Sequence, residues 1–178
     1  MNESTPALLA YIAVGSNIRP EENVPDAMEM LANKIELISI STFYECKALG
    51  RPNQPDYRNG VVALRTHLPP GQLIEEVLRP IEAELNRKRS QDKYAARTID
   101  LDLILYGDQV FQTNGLNLPD PNIRERSFVA VPLLELDPDL VMPDDGVRLS
   151  ELPVAAATDE LRIDENLTQA LKEKVCYE

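Results

Sequence analysis

The chain has 178 residues, 43% of them hydrophobic, with a formal net charge of −12 and a single histidine. That length suits one domain with a sizeable core, and the charge argues against nonspecific nucleic-acid binding by the surface. One histidine leaves little material for a histidine-built zinc site or a Ser-His-Asp triad.

From the N-terminus, Met1-Asn-Glu-Ser-Thr-Pro6 lacks the positive n-region of a signal peptide, and no apolar run has the length of a transmembrane helix. Cys46 and Cys176 lie far apart and read as two free thiols in a reducing cytosol, so a cytoplasmic protein without a membrane partner is expected. Leu8 to Val14 reads as a first buried strand, ended by the turn formers Gly15-Ser16-Asn17. A helix follows, beginning between Pro20 and Asp26, with Val24, Ala27, Met28 and Leu31 on one stripe. Pro25 favours the later start, because proline is tolerated in a first turn.

Ile35 to Tyr44 is a second strand, rich in β-branched and aromatic residues. Lys47 to Asp56 is a loop by composition, long enough to be functional. Tyr57 to Thr66 is a third strand, with Tyr57 and Asn59 on one face. Pro69-Pro70 opens a second helix with Leu73, Ile74, Val77, Leu78, Ile81 and Leu85 as its buried stripe, and Pro80 is expected to interrupt it. A basic segment carries Arg87, Lys88, Arg89, Lys93 and Arg97.

The strand Arg97 to Tyr106 organises the rest. Ile99, Leu101, Leu103 and Leu105 alternate along one face, which puts Asp100 and Asp102 together on the other. Side chains two apart on a strand sit roughly 7 Å from each other, so the pair repels and asks for a cation. One reading is a pair of divalent ions, since aspartate oxygens suit magnesium; the other is the solvated outer face of an edge strand. The basic segment beside the pair suits a small, highly anionic ligand carried with metal, or else a solvated loop balancing nearby glutamates. Gly107-Asp108 turns the strand into Val110-Phe111 as a short hairpin partner. Leu118-Pro-Asp-Pro121 is a stop, and Asn122 caps a third helix carrying Ile123, Arg124, Arg126, Phe128 and Val131, with Pro132 inside or ending it. Ser150-Glu-Leu152 reads as a short turn and Glu165 to Lys174 as a final amphipathic helix. The order βαβ, βαβ, then helical material implies an α+β sandwich of ferredoxin-like βαββαβ type, with a mainly antiparallel sheet and helices on one face.

Taken together, Ala13-Val-Gly-Ser-Asn17, Phe43-Tyr44, Gln54-Pro-Asp-Tyr-Arg-Asn59, Arg97-Thr-Ile-Asp-Leu-Asp-Leu103, Leu118-Pro119, and Glu125-Arg126 with Phe128 resemble the 6-hydroxymethyl-7,8-dihydropterin pyrophosphokinase family of folate biosynthesis. The resemblance runs from about Ala10 to about Pro143; with the length it suggests a single domain over 1–178, a family-like core at 7–143 and an extension at 144–178, and it implies the family's three-layer α-β-α arrangement. It implies transfer of pyrophosphate from ATP to the pterin hydroxymethyl group, releasing AMP. In the family, the aspartates matching Asp100 and Asp102 hold two magnesium ions that bridge the triphosphate. The matching basic residues Arg87, Arg89, Lys93, Arg97 and Arg126 clamp or close over phosphates. Tyr57 and Phe128 match the residues that sandwich the pterin, and Asn59 the one that bonds its polar edge. The expected partners are small molecules, and the expected state is a monomer or weak homodimer.

Three places depart from the family pattern. Tyr94-Ala95-Ala96 stands for a tryptophan-glycine-proline run, Asp120 for a histidine that contacts the nucleotide, and Cys46-Lys47-Ala48 for a threonine-proline-proline segment. Besides the enzyme itself, the alternatives are a paralogue transferring pyrophosphate to a different pterin or alcohol, a non-catalytic binding protein on the same scaffold, and a two-metal hydrolase of phosphate esters.

Overall fold

The computed structural model describes residues 6–113 and 115–175. Its centre is a six-stranded sheet made of β1 (Leu8–Ser16), β2 (Glu36–Ile40), β3 (Tyr44–Cys46), β4 (Tyr57–Thr66), β5 (Asp100–Tyr106) and β8 (Arg162–Ile163). The order is β5-β1-β4-β3-β8, with β2 also on β4, and every pairing is antiparallel. β6 (Phe111–Thr113) and β7 (Leu116–Leu118) form a separate two-stranded ribbon.

Alternation along the strands sends side chains to both faces. Ala10, Ile12, Val14, Val62 and Leu64 pack against α1 (Pro20–Lys34) and against a helical run made of α2 (Pro70–Gln72), a π turn (Leu73–Leu78) and α3 (Arg79–Glu84). Tyr11, Val61 and Ala63 meet α4 (Asn122–Glu125), α5 (Ser127–Leu136) and the following chain at Leu140, Met142 and Leu149. Two buried faces explain why Val61-Val62-Ala63-Leu64 is unbroken hydrophobic sequence rather than alternating. Helices therefore cover both sides of the sheet, where element order alone places them on one.

Several expectations shift in register or extent. The second strand is two, because Ser41 to Phe43 leave the ladder: the Ser41 hydroxyl accepts from Val61 N–H at 2.9 Å, and Phe43 is fully buried. Gly60 permits this, since a Cβ there would lie 2.5 Å from the Phe43 ring. The first helix begins at Pro20 and carries Pro25 inside it; in its second turn the proline forfeits only the bond back to Glu21. The interruption at Pro80 appears as the π turn ahead of it, which lets Pro80 enter the first turn of α3. Phe111 pairs with Leu118 instead of with the aspartate strand. The outer edge of β5 is occupied differently: Leu101 N–H donates to the buried Glu82 carboxylate at 2.9 Å. Leu105 leaves the face of Leu101 and Leu103, because a bulge opposite Tyr11 and Ile12 turns Ile104 and Leu105 toward the other core.

The C-terminal segment adds a strand as well as the expected helix. β8 extends β3, and α6 (Glu165–Val175) buries Leu167 and Leu171 in the core shared with α1. Thr168 Oγ1 accepts from Phe43 N–H at 2.9 Å, and Asp164 N–H donates to Phe43 O at 2.9 Å, so this segment satisfies the backbone freed between β2 and β3. The expected turn at Ser150 is a 3₁₀ turn, Leu149–Glu151. Cys46 is a free, buried thiol; Cys176 lies outside the described residues. No helix of the described residues is long and apolar enough to cross a membrane.

Candidate active site

One end of the sheet opens into a cleft of about 300 Å³ on the side of α4 and α5. Its floor is the register of three strands: Gly15 of β1 lies between Asn59 of β4 and Asp100 of β5. This cross-strand row brings residues more than forty positions apart in sequence into contact. Tyr57, Asn59, Lys93, Arg97, Asp100, Asp102, Arg126 and Phe128 all line the cleft. Arg126 and Phe128 reach it because the expected third helix breaks: Arg126 is extended, φ −126° and ψ 116°, between α4 and α5.

The two aspartates differ. Asp100 accepts from Arg87 at 2.8 Å and pairs also with Arg97. Arg87 is nearly buried, its side chain 9% exposed, and it also donates to Ile99 O at 2.9 Å. Asp102 projects into the cleft and is water-accessible, with no hydrogen bond or ion pair to a described residue. Desolvation at the cleft floor, and then the negative charge of Asp100, Glu82 and Asp120, raise its pKa above the usual carboxylate range. An unpaired carboxylate crowded by other carboxylates is a place where a hard cation lowers the energy. Among the described residues no three His, Cys, Asp or Glu side chains form a metal cluster, so a cation here would complete its shell with water and ligand oxygens.

Arg87 and Arg89 stand outside the cleft lining in this conformation. Arg87 backs Asp100, and Arg89 donates to Glu82 at 2.6 Å. Lys93 sits 4.9 Å from the centre of the Tyr94 ring at the cleft rim.

Sequence reasoning passed over the residues that hold this constellation in place. Asn17, read as a turn former, is 2% exposed. Its Oδ1 accepts from Arg97 N–H at 2.8 Å, and its Nδ2 donates to Gln54 at 3.1 Å and to Pro55 O at 3.3 Å. It thereby ties the end of β1 to both loops that border the cleft. Glu82, likewise not singled out from the sequence, is 2% exposed and joins α3 to β5 and to Arg89; burial raises its pKa. The available signal was Glu82 standing next to Ile81 in the apolar stripe. Asp120, at the position of the departure, spends one oxygen on Asn122 N–H at 2.8 Å.

Fold and cleft together define a ferredoxin-like α+β protein whose site joins an aromatic end to a charged end. The family model for 7,8-dihydro-6-hydroxymethylpterin-pyrophosphokinase (HPPK) matches residues 11–138. The chain is 39% identical over 143 residues to the 2-amino-4-hydroxy-6-hydroxymethyldihydropteridine pyrophosphokinase of Haemophilus influenzae, covering 79% of this chain and 88% of that one. It is 41% identical over 146 residues to the enzyme of the same name from Synechocystis, covering 80% and 73%. A crystal structure of Plasmodium falciparum HPPK-DHPS A437G with pteroate superimposes with a TM-score of 0.64 at 12% identity, covering 97% of this chain. The chain spans 47% of that longer one, and the likeness concerns the fold. The chain belongs to the 7,8-dihydro-6-hydroxymethylpterin-pyrophosphokinase family.

Proposed function

We propose that this chain transfers the pyrophosphoryl group of ATP to the hydroxymethyl oxygen of 6-hydroxymethyl-7,8-dihydropterin, as a cytoplasmic enzyme of folate biosynthesis. The observation that supports it best is that the aromatic pair and Asn59 share one cleft with the aspartate pair and its arginines. The pterin ring lies between Tyr57 and Phe128, a flat slot for a flat heterocycle, with Asn59 on its polar edge. The hydroxymethyl arm then points toward Asp100 and Asp102.

A new bond forms between the hydroxymethyl oxygen and the β-phosphorus of ATP. The bond from that phosphorus to the α-phosphate oxygen breaks, AMP leaves with the electron pair, and the hydroxyl proton goes to solvent. Asp100 and Asp102 would hold magnesium, which when bound neutralises the triphosphate. Lys93, Arg97 and Arg126 add fixed positive charge around the transferred group, and Arg87 holds Asp100 in place from behind. Arg89 and its segment close on the phosphates once ligand competes with Glu82. Positioning and electrostatics thus carry most of the rate.

The test is AMP formation from ATP and magnesium, with and without the dihydropterin. Pterin-dependent AMP is the expected result. Release of phosphate or pyrophosphate without an acceptor would indicate a hydrolase, and ATP binding without pterin-dependent AMP would indicate another acceptor alcohol.

A further inference from the structure

Asn59 is 8% exposed, yet only half of its amide is used by the protein. Its Nδ2 donates to the Cys46 sulfur at 2.7 Å. Its Oδ1 lies over Gly15, 2.8 Å from where a Cβ would be, and accepts no hydrogen bond from a described residue. Among the described residues the one enclosed side-chain polar atom without a partner is Thr98 Oγ1, so Asn59 Oδ1 is reached from the cleft. A terminal amide is nearly symmetric in shape, and its two ends differ only in what they bond. The partner that tells them apart here is the Cys46 thiol. Cys46 stands opposite Tyr57 in the ladder, two residue pairs along from the Asn59–Tyr44 pair, and it also lines the cleft.

We infer that Cys46 is a positioning residue for substrate: its sulfur takes the Asn59 Nδ2 hydrogen and so turns the Asn59 carbonyl oxygen toward the ligand, selecting a heterocycle edge that presents an N–H. The inference rests on the reading that the cleft binds a dihydropterin. Two further facts suit it. Burial pushes the Cys46 thiol up to about 11, so the sulfur stays uncharged. Gly15 leaves the carbonyl oxygen its space, since any larger residue there meets it. Without the sulfur, Nδ2 has no acceptor at that place, and the amide is free to present its donor end, which an N–H edge rejects.

The test compares wild type, Cys46→Ala and Cys46→Ser by calorimetric titration with 6-hydroxymethyl-7,8-dihydropterin and, separately, with ATP and magnesium, followed by steady-state kinetics. Cys46→Ala is expected to weaken pterin binding by about tenfold, the scale of one neutral hydrogen bond. ATP affinity and kcat hold, because Cys46 touches no reacting atom, while KM for the pterin rises. Cys46→Ser, whose hydroxyl accepts the same hydrogen, recovers most of the loss. A merely structural role would lower the melting temperature and both affinities together in Cys46→Ala, and that result overturns the inference. Unchanged pterin affinity in Cys46→Ala, or a serine variant no better than alanine, overturns it too. If wild type itself fails to bind the dihydropterin, the functional reading falls first and the inference with it; the wild-type titration separates that case from the others.

Discussion

Gly15→Ala isolates the geometry of the cleft floor. Gly15 does not have the positive φ that would itself demand glycine, so the backbone accepts alanine and only the added methyl matters. The new Cβ would meet Asn59 Oδ1 at 2.8 Å and Tyr57 Cδ1 at 3.8 Å. The second is ordinary contact; the first is closer than carbon and oxygen approach without repulsion. Asn59 must withdraw by about 0.6 Å to reach a 3.4 Å contact from 2.8 Å, enough to stretch a hydrogen bond of ordinary length, about 2.9 Å, to the limit of usefulness. Losing one hydrogen bond costs about 1 kcal/mol, and repacking a tight site adds about as much again, so pterin affinity should fall roughly 10- to 30-fold. ATP, whose phosphates the proposed function assigns to the charged end, should bind as before. Titration of each substrate against wild type and variant measures both. Wild-type pterin affinity in Gly15→Ala would refute the reasoning, because either Asn59 does not touch the ligand or the floor yields without cost.

Other perturbations separate roles in the same region. Asp102→Asn should abolish turnover while leaving the metal-free protein at least as stable as wild type, since an amide escapes the penalty that desolvation and then Asp100, Glu82 and Asp120 place on the ionised carboxylate; melting below wild type in a chelator would contradict this. Asp100→Asn should abolish turnover and also destabilise by about 1–3 kcal/mol, because Arg87, nearly buried, loses its carboxylate; equal melting temperatures for the two variants would count against the asymmetry. Gly60→Ala puts a methyl 2.5 Å from the fully buried Phe43 ring, and overpacking of that kind costs about 1–3 kcal/mol, or roughly 2–10 °C in Tm for a chain of this size; an unchanged thermal melt would show that the ring moves freely. Tyr57→Ala should weaken pterin binding more than ATP binding, and equal losses by calorimetry would remove it from the slot.

Much of this molecule is written locally. The apolar runs at Leu8–Val14 and Val61–Leu64, the helical stripe of α1 and the turn formers that end each strand need only short-range sterics and hydrophobic period to be read. The placement of Asp100 and Asp102 opposite Leu101 and Leu103 follows from a period of two, and the two carboxylates do face away from that core. Where local reasoning failed, a distant contact had supplied what the neighbours in sequence did not. Ser41 to Phe43 leave their strand because Gly60 has room for an aromatic ring and Thr168, 125 residues later, accepts the Phe43 N–H. Turn chemistry at Gly107-Asp108 makes Val110-Phe111 the expected hairpin partner of β5, but Phe111 pairs with Leu118, and on β5 the Leu101 N–H goes to a buried carboxylate from α3.

The site divides in the same way. Sequence alone determined which side chains could do chemistry, because carboxylates, guanidiniums and aromatic rings carry their charge and shape wherever they stand. Only the tertiary structure decided how they differ: that Arg87 and Arg97 pair with Asp100 while Asp102 has no such partner among the described residues, that Arg89 rests on Glu82, that Asn17 bonds the Arg97 backbone, and that the Asn59 amide meets Cys46. Those distinctions depend on which groups share a hydrogen bond across the sheet, and strand register, a cooperative property of the whole packed sheet, sets that.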